Sequence, residues 1–413
     1  MGFSDAKKKL LELGACDRCI GRQFHHAFPG KANAEIGAAV RNAKNEKEAK
    51  ALLEKGVALG KEGCPLCGTV FEQLPKLSAL VQELIANYDY DSFLVGAHVD
   101  RSLTHAEELL WEAIGAEHSE ALKKELVRAI GMQLEQRTGK RVDFKNPDIN
   151  ALADFTTGKV TIASNSLYLY GQYRKLARMP QTTWWCLPCG GHGCAGCGFR
   201  GKLYDESVEE YVSAPIVKAT GGRGEKFHGS GREDMDARML GHRPFVLEIE
   251  APIRRHVDFT ALEREINAAA QGKVEVAGLR LSSKEEMRFL KAVKNEKTYE
   301  AIVECEQAFD PAALLKAERD LNGAEIAQQT PVRVAHRRAD LTRKRKVLSI
   351  KLEAISPTAI RAAIRAEAGT YIKELVSGDE GRTKPSLADY VGKCKVKELN
   401  VLEVHGRKEL VNE

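Results

Sequence analysis

The chain has 413 residues, 43% of them hydrophobic and 29% charged. That is enough for real cores and, at about 150 residues per domain, for two to four domains. Its 63 Lys and Arg against 58 Asp and Glu give a net charge of +5, which excludes a histone-like coat of positive charge but not a local basic patch. No run of about 18 apolar residues occurs, so no membrane span is expected. The first residues lack the apolar core of a secretory signal, and a cytoplasmic location is expected.

Residues 4–13 read as a short helix capped by Ser4. Cys16 and Cys19 follow. Residues 31–60, rich in Ala, Glu and Lys, read as helix, and Cys64 and Cys67 sit in a tight turn, EGCPLCG. FLVGAHV (93–99) reads as a strand. A long helix is expected over about 104–136, with Leu122, Leu126, Ile130 and Leu134 at i, i+4 spacing. Strands are expected at 141–144 and 159–164, and SLYLYGQYRKL closes a compact α/β module near residue 179. A composition break at 180–202, with Trp184-Trp185, four cysteines and six glycines, marks a boundary.

Beyond it, 245–250, 298–306 and 360–368 alternate with the period of half-buried strands. Tyr299, Ala301, Val303 and Cys305 share one face, as do Ile360, Ala362, Ile364 and Ala366. Helices are expected near 260–270, 284–294, 311–321 and 370–377. The fold class is therefore α+β, with a central, largely antiparallel sheet in the second half. The expected division is 1–80, 81–180, 181–205 and 206–413.

Eight of the ten cysteines form four Cys-x-x-Cys pairs. In a chain without a secretory signal such pairs read as metal ligands. Cys16, Cys19, Cys64 and Cys67 make one candidate tetrathiolate zinc site, and Cys186, Cys189, Cys194 and Cys197 a tighter one, whose spacing resembles the glycine-rich zinc repeats of the DnaJ co-chaperones. With four protein ligands each, both read as structural rather than catalytic. Cys305 and Cys394 read as core residues.

The densest basic run is TPVRVAHRRADLTRKRKV (330–347). Arg333, Arg337, Arg338, Arg343, Lys344, Arg345 and Lys346 face a single acid, Asp340, and could neutralise several phosphates. GGRGEKFHGSG (221–231), with Arg223, Lys226 and His228, reads as a glycine-rich loop open to RNA. It lacks the Gly-Lys-Ser/Thr of a nucleotide-binding loop.

That loop runs into Gly231-Arg232-Glu233-Asp234-Met235-Asp236-Ala237-Arg238, a carboxylate cluster flanked by arginine. The string resembles the catalytic motif of the Pus-ten family of tRNA pseudouridine synthases. Lys297-Thr298-Tyr299 resembles the family's Lys-x-Tyr strand, and Gly369-Thr370-Tyr371-Ile372-Lys373 its third motif. GDEGRTKPSLADYVG and HRRADLTRKRK agree, and 147–178 resembles the end of a THUMP-type RNA-binding module.

The resemblance implies an enzyme that isomerises uridine in the T-arm of tRNA, at the neighbouring positions fifty-four and fifty-five. It implies a zinc-binding N-terminal segment, a THUMP-like module, a cysteine knuckle and a catalytic domain. Asp234 would attack the sugar at C1′ or take its C2′ proton, held charged by Arg232 and Lys373. Tyr299 would stack on the flipped uracil and help remove the C5 proton, and Ile372 would form an apolar wall, with Val401 or Leu402 adding another. Arg337, Arg338, Arg343 and Arg345 would hold the RNA. Asp236 is the rival carboxylate. No organic cofactor is implied, and a monomer is expected. A non-catalytic zinc-containing tRNA-binding protein, a zinc enzyme, and a THUMP-bearing thiolating or methylating enzyme are the alternatives.

Overall fold

The computed structural model describes residues 2–60, 63–337 and 339–406. Two compact units emerge. The first comprises the described residues up to Asn165 together with Ile253–Arg255, and the second holds the remainder. No helix among the described residues is long and apolar enough to cross a membrane.

The first unit begins with helices. Phe3–Glu12 starts from Gly2, two residues earlier than a Ser4 cap would place it. The single helix expected over 31–60 is two, Asn33–Asn42 and Glu46–Lys55, because Asn45 accepts the Glu48 amide and starts a new helix. The helix expected over 104–136 is likewise broken, into Arg101–Ile114 and Leu122–Thr138, at Gly115, whose φ of 89° ends the first. Four strands, β1 (Ser92–His98), β2 (Arg141–Val142), β3 (Ile149–Asp154) and β4 (Lys159–Ser164), form a sheet in the order β2-β1-β3-β4. β3 is a strand the sequence reading passed over, since its inward residues after Ile149 are only Ala151 and Ala153.

In the second unit, β5 (Leu167–Lys175), β6 (Gly224–Gly229), β7 (Arg238–Glu250) and β8 (Val274–Ser282) come first. β9 (Lys297–Cys305), β10 (Glu325–Gln329), β11 (Thr342–Ser356) and β12 (Ala359–Ala366) follow. β13 (Thr383–Lys384) and β14 (Cys394–Val404) complete one sheet, ordered β13-β10-β11-β12-β9-β14-β7-β5-β8, with β6 added on β7. Two expectations change here. SLYLYGQYRKL does not close the first module: as β5 it pairs with β7 and β8. The glycine-rich run 221–231 is not an open loop, because Gly224–Gly229 pairs along β7 and Lys226 forms an ion pair with Glu250.

The alternation read in β9 and β12 is the burial observed: Tyr299, Ala301, Val303, Ile360, Ala362 and Ile364 enter the main core. Helices Val208–Thr220, Phe259–Ala270 and Pro311–Leu321 supply Val212, Ile266 and Leu314 to it. Phe245, Leu247 and Ile249 of β7 face that core. Val246 points the other way but is buried too, under Met287 and Leu290 of helix Lys284–Ala292. β7 and β14 meet in parallel, Val401 beside Met239, and this pairing joins the two halves of the sheet next to the carboxylate cluster.

Candidate active site

The segment joining β6 to β7 carries the carboxylates. Gly231 has φ 77°, and a Cβ there would lie 3.2 Å from Arg243 Nη1 and 3.6 Å from Lys297 Nζ, so both conformation and space call for glycine. Glu233 turns into the protein. The Tyr173 hydroxyl donates to it at 3.0 Å, Arg243 Nε lies 3.1 Å away and Lys175 Nζ 3.4 Å. Lys175 also donates to the Asp234 carbonyl at 3.1 Å, and Gln181 Nε2 to Tyr173 Oη at 2.8 Å. A buried carboxylate is tolerable only with such partners. Here they pin the loop one residue before Asp234.

Asp234 lines a cavity of about 430 Å³ together with Arg232, Tyr299, Ile372 and Lys373. The motifs that suggested these five residues lie far apart in the chain, and the fold brings them together. Val401 lines the cavity as well, whereas neither Leu402 nor Asp236 does. Gln328, almost fully buried, holds the third motif in place: its side chain accepts from the Tyr371 amide at 2.9 Å and donates to the Tyr371 carbonyl at 2.9 Å. Helix Ile372–Ser377 starts immediately after this clamp.

The ion pairs differ from the expectation. The close partner of Asp234 is Arg333, whose Nη1 lies 3.1 Å from Oδ2 and 3.2 Å from Oδ1. Lys373 is 3.5 Å from Asp234 but 2.8 and 2.7 Å from the two Asp236 oxygens. Burial opposes ionisation of Asp236, yet the Lys373 ammonium outweighs it and holds the carboxyl below its ordinary value. The Arg232 guanidinium stands over the Trp184 ring, 5.2 Å from its centroid.

Arg333 belongs to the basic run expected to meet phosphates. In the structure it bridges two carboxylates, since its Nε also donates to Glu374 at 2.7 Å. Arg343 donates to Thr330 Oγ1 at 3.0 Å, and Arg345 lies against Gly369. Arg338 and the side chain of Arg337 lie outside the described residues.

Tyr299 and Lys297, both at the cavity, are shifted from ordinary titration. Burial pushes the Tyr299 phenol up to about 12, with the Arg243 guanidinium working against it and Asp234 and Glu233 adding to it. At neutral pH the Tyr299 phenol is therefore protonated and can donate a hydrogen bond. Burial, seconded by Arg243, pushes Lys297 down to about 8. Lys297 and Glu233 are read in the sequence only as members of their motifs, and Arg243 and Glu374 carry no assigned role there. Only Lys297 carried a further signal, as a lysine on the same inward face of β9 as Tyr299.

Both cysteine sets converge. Each set's four Sγ atoms lie within 4.8 Å of one another. Cys67 Sγ is 3.7 Å from those of Cys16 and Cys64, and Cys194 Sγ is 3.8 Å from those of Cys186 and Cys197. Thiolates about 2.3 Å from a tetrahedral ion stand at such separations. The amides of Gly193 and Gly201 donate to Cys189 Sγ and Cys197 Sγ, and Arg22 donates to Cys19 Sγ at 3.4 Å, as partners of ionised sulfur would. Either set could hold a metal ion.

The family model described as "Pus10, C-terminal" matches residues 168–405, and "Pus10 THUMP domain, archaeal" matches 78–154. The proteins named "tRNA pseudouridine synthase Pus10" from Methanothrix thermoacetophila and Methanothermobacter marburgensis are 40% and 41% identical to this chain. The alignments cover 96% and 97% of this chain and 93% and 97% of theirs. The protein of that name from Methanocaldococcus jannaschii is 39% identical over 96% of this chain and 93% of its own. Among solved structures, a Cbf5-Nop10-Gar1 complex aligns loosely, over 56% of this chain and 48% of its own at 17% identity and a TM-score of 0.32. With matched models over both units and relatives near 40% identity along almost the whole chain, the protein belongs to the Pus10 family.

Proposed function

We propose that the protein is a tRNA pseudouridine synthase acting on T-arm uridines at positions fifty-four and fifty-five. The single observation that carries the chemistry is the cavity of about 430 Å³, where Asp234 lies among Tyr299, Ile372 and Lys373. The volume suits one flipped nucleotide.

The uracil enters between the Tyr299 ring and the apolar wall of Ile372 and Val401. Asp234, held beside Arg333 and Lys373, attacks C1′ or takes the C2′ proton. The N1–C1′ bond breaks, the base rotates, and C5 bonds to C1′ as the Asp234 carboxylate leaves C1′ or returns the proton to C2′. The C5 proton leaves and N1 gains one, so atoms balance without an oxidant, a nucleotide or an organic cofactor. Arg337, Arg338, Arg343 and Arg345 lie in the basic run that would meet phosphates, and the THUMP-matched segment would grip the rest of the tRNA. Zinc is the proposed ion in both cysteine sets, in a structural role. The enzyme is taken to act as a monomer in the cytoplasm.

The test is nucleotide-by-nucleotide mapping of pseudouridine in an unmodified tRNA transcript incubated with the protein. New pseudouridine at the two T-arm positions supports the reading. Modification elsewhere removes the T-arm assignment, and none at all removes the activity.

A further inference from the structure

We propose that Arg333 is a positioning residue for the reaction: it holds the Asp234 carboxylate in one orientation and is itself held by Glu374. This rests on the reading of Asp234 as the reacting carboxylate. Three observations carry it. First, the guanidinium spans two acids, with Nη1 at 3.1 and 3.2 Å from the Asp234 oxygens and Nε at 2.7 Å from Glu374 Oε1. A planar fork binds two carboxylates in fixed directions, which a lysine ammonium does not. Second, the anchor is rigid. Glu374 is 4% exposed, and its helix begins immediately after Tyr371, the residue clamped by Gln328. Third, Lys373 makes only a longer ion pair with Asp234, at 3.5 Å, and donates instead to Asp236 at 2.7 Å.

Arg333 sits on the turn Val332–Arg337, at the start of the basic run. Its neighbours in sequence suit RNA phosphates, so a phosphate contact is the competing role. The two roles separate kinetically. Loss of a positioning residue lowers kcat at the chemical step, whereas loss of a phosphate contact raises KM and flattens the salt dependence of binding.

The experiment measures kcat and KM for pseudouridine formation on a tRNA transcript by full-length wild type, Arg333→Gln, Arg333→Lys and Glu374→Gln, with a thermal melt of each. Misplacement of a reacting group by about 1 Å costs on the order of 10²-fold. Arg333→Gln is expected to lose kcat on that scale with KM within about threefold. Arg333→Lys should recover part of the loss and Glu374→Gln share its direction. The proposal is overturned if kcat of Arg333→Gln stays within about twofold of wild type, or if the loss falls on KM with a salt slope reduced by about 1. Should Arg333→Gln fail to fold, Arg333→Lys and Glu374→Gln decide by the same split. A wild type that forms no pseudouridine defeats the underlying reading instead, and so is distinguishable.

Discussion

Arg243 Nε lies 3.1 Å from Glu233 Oε2, and neither side chain reaches solvent. The pair sits one residue before Asp234, so an inward-facing carboxylate fixes the loop that carries Asp234. Removing one member of such a pair leaves a buried charge uncompensated, at about 3–5 kcal/mol. Glu233→Ala is therefore expected to lower unfolding free energy by about that amount, read from a denaturant titration of the full chain. A loss under about 1 kcal/mol would mean the pair does not hold the loop.

Lys297 gives a pH-dependent prediction. Its ammonium is pushed from 10.5 down to about 8. Between those values the unfolded chain binds more protons than the folded one, so stability rises with pH across that window. Below about pH 8 both states are protonated and the burial penalty is fully present. Lys297→Met should therefore be more stable than wild type at pH 7, by up to about 3 kcal/mol, and the gap should narrow as pH rises through 8 toward 10.5. The comparison of the two melting curves cancels the titration of other groups. A gap independent of pH would contradict it.

How much of this was legible in the sequence depended on contiguity. Asp234, Tyr299, Ile372 and Lys373 each lie in a short string with its own signature. Arg333 and Asp234 are 99 residues apart, Arg333 and Glu374 41, and no spacing rule connects residues that meet only across a sheet. The same holds for Glu233, whose partners Tyr173, Lys175 and Arg243 come from two other strands. The alternation of β9 and β12 was plain because one face is apolar. β3 was hidden by its small alanines, and β6 by three glycines in 221–224 and 229, which read as a loop until β7 is beside them.

Metal removal should act through folding. Structural zinc supplies on the order of 10 kcal/mol to small domains that need it. Metal analysis is expected to find one ion for each of the two tetrathiolate groups. Cys67→Ser should lose one of them and leave the first unit open to limited proteolysis while the second resists. Full metal content in that variant would contradict the site.

Tyr299 should stay protonated across the working range, because burial holds its phenol at about 12. The tyrosinate absorbance lost in Tyr299→Phe is expected to appear only above about pH 11. Ionisation of Tyr299 near pH 8–9 would contradict this.

The central claim is that one carboxylate, Asp234, carries the chemistry. The most direct test is single-turnover pseudouridine formation on a tRNA transcript by Asp234→Asn and Asp236→Asn, with tRNA binding measured in parallel. The account predicts that Asp234→Asn binds tRNA and forms no pseudouridine, while Asp236→Asn, whose carboxylate pairs with Lys373 outside the cavity lining, still turns over. Turnover retained in Asp234→Asn, or lost only in Asp236→Asn, would contradict it.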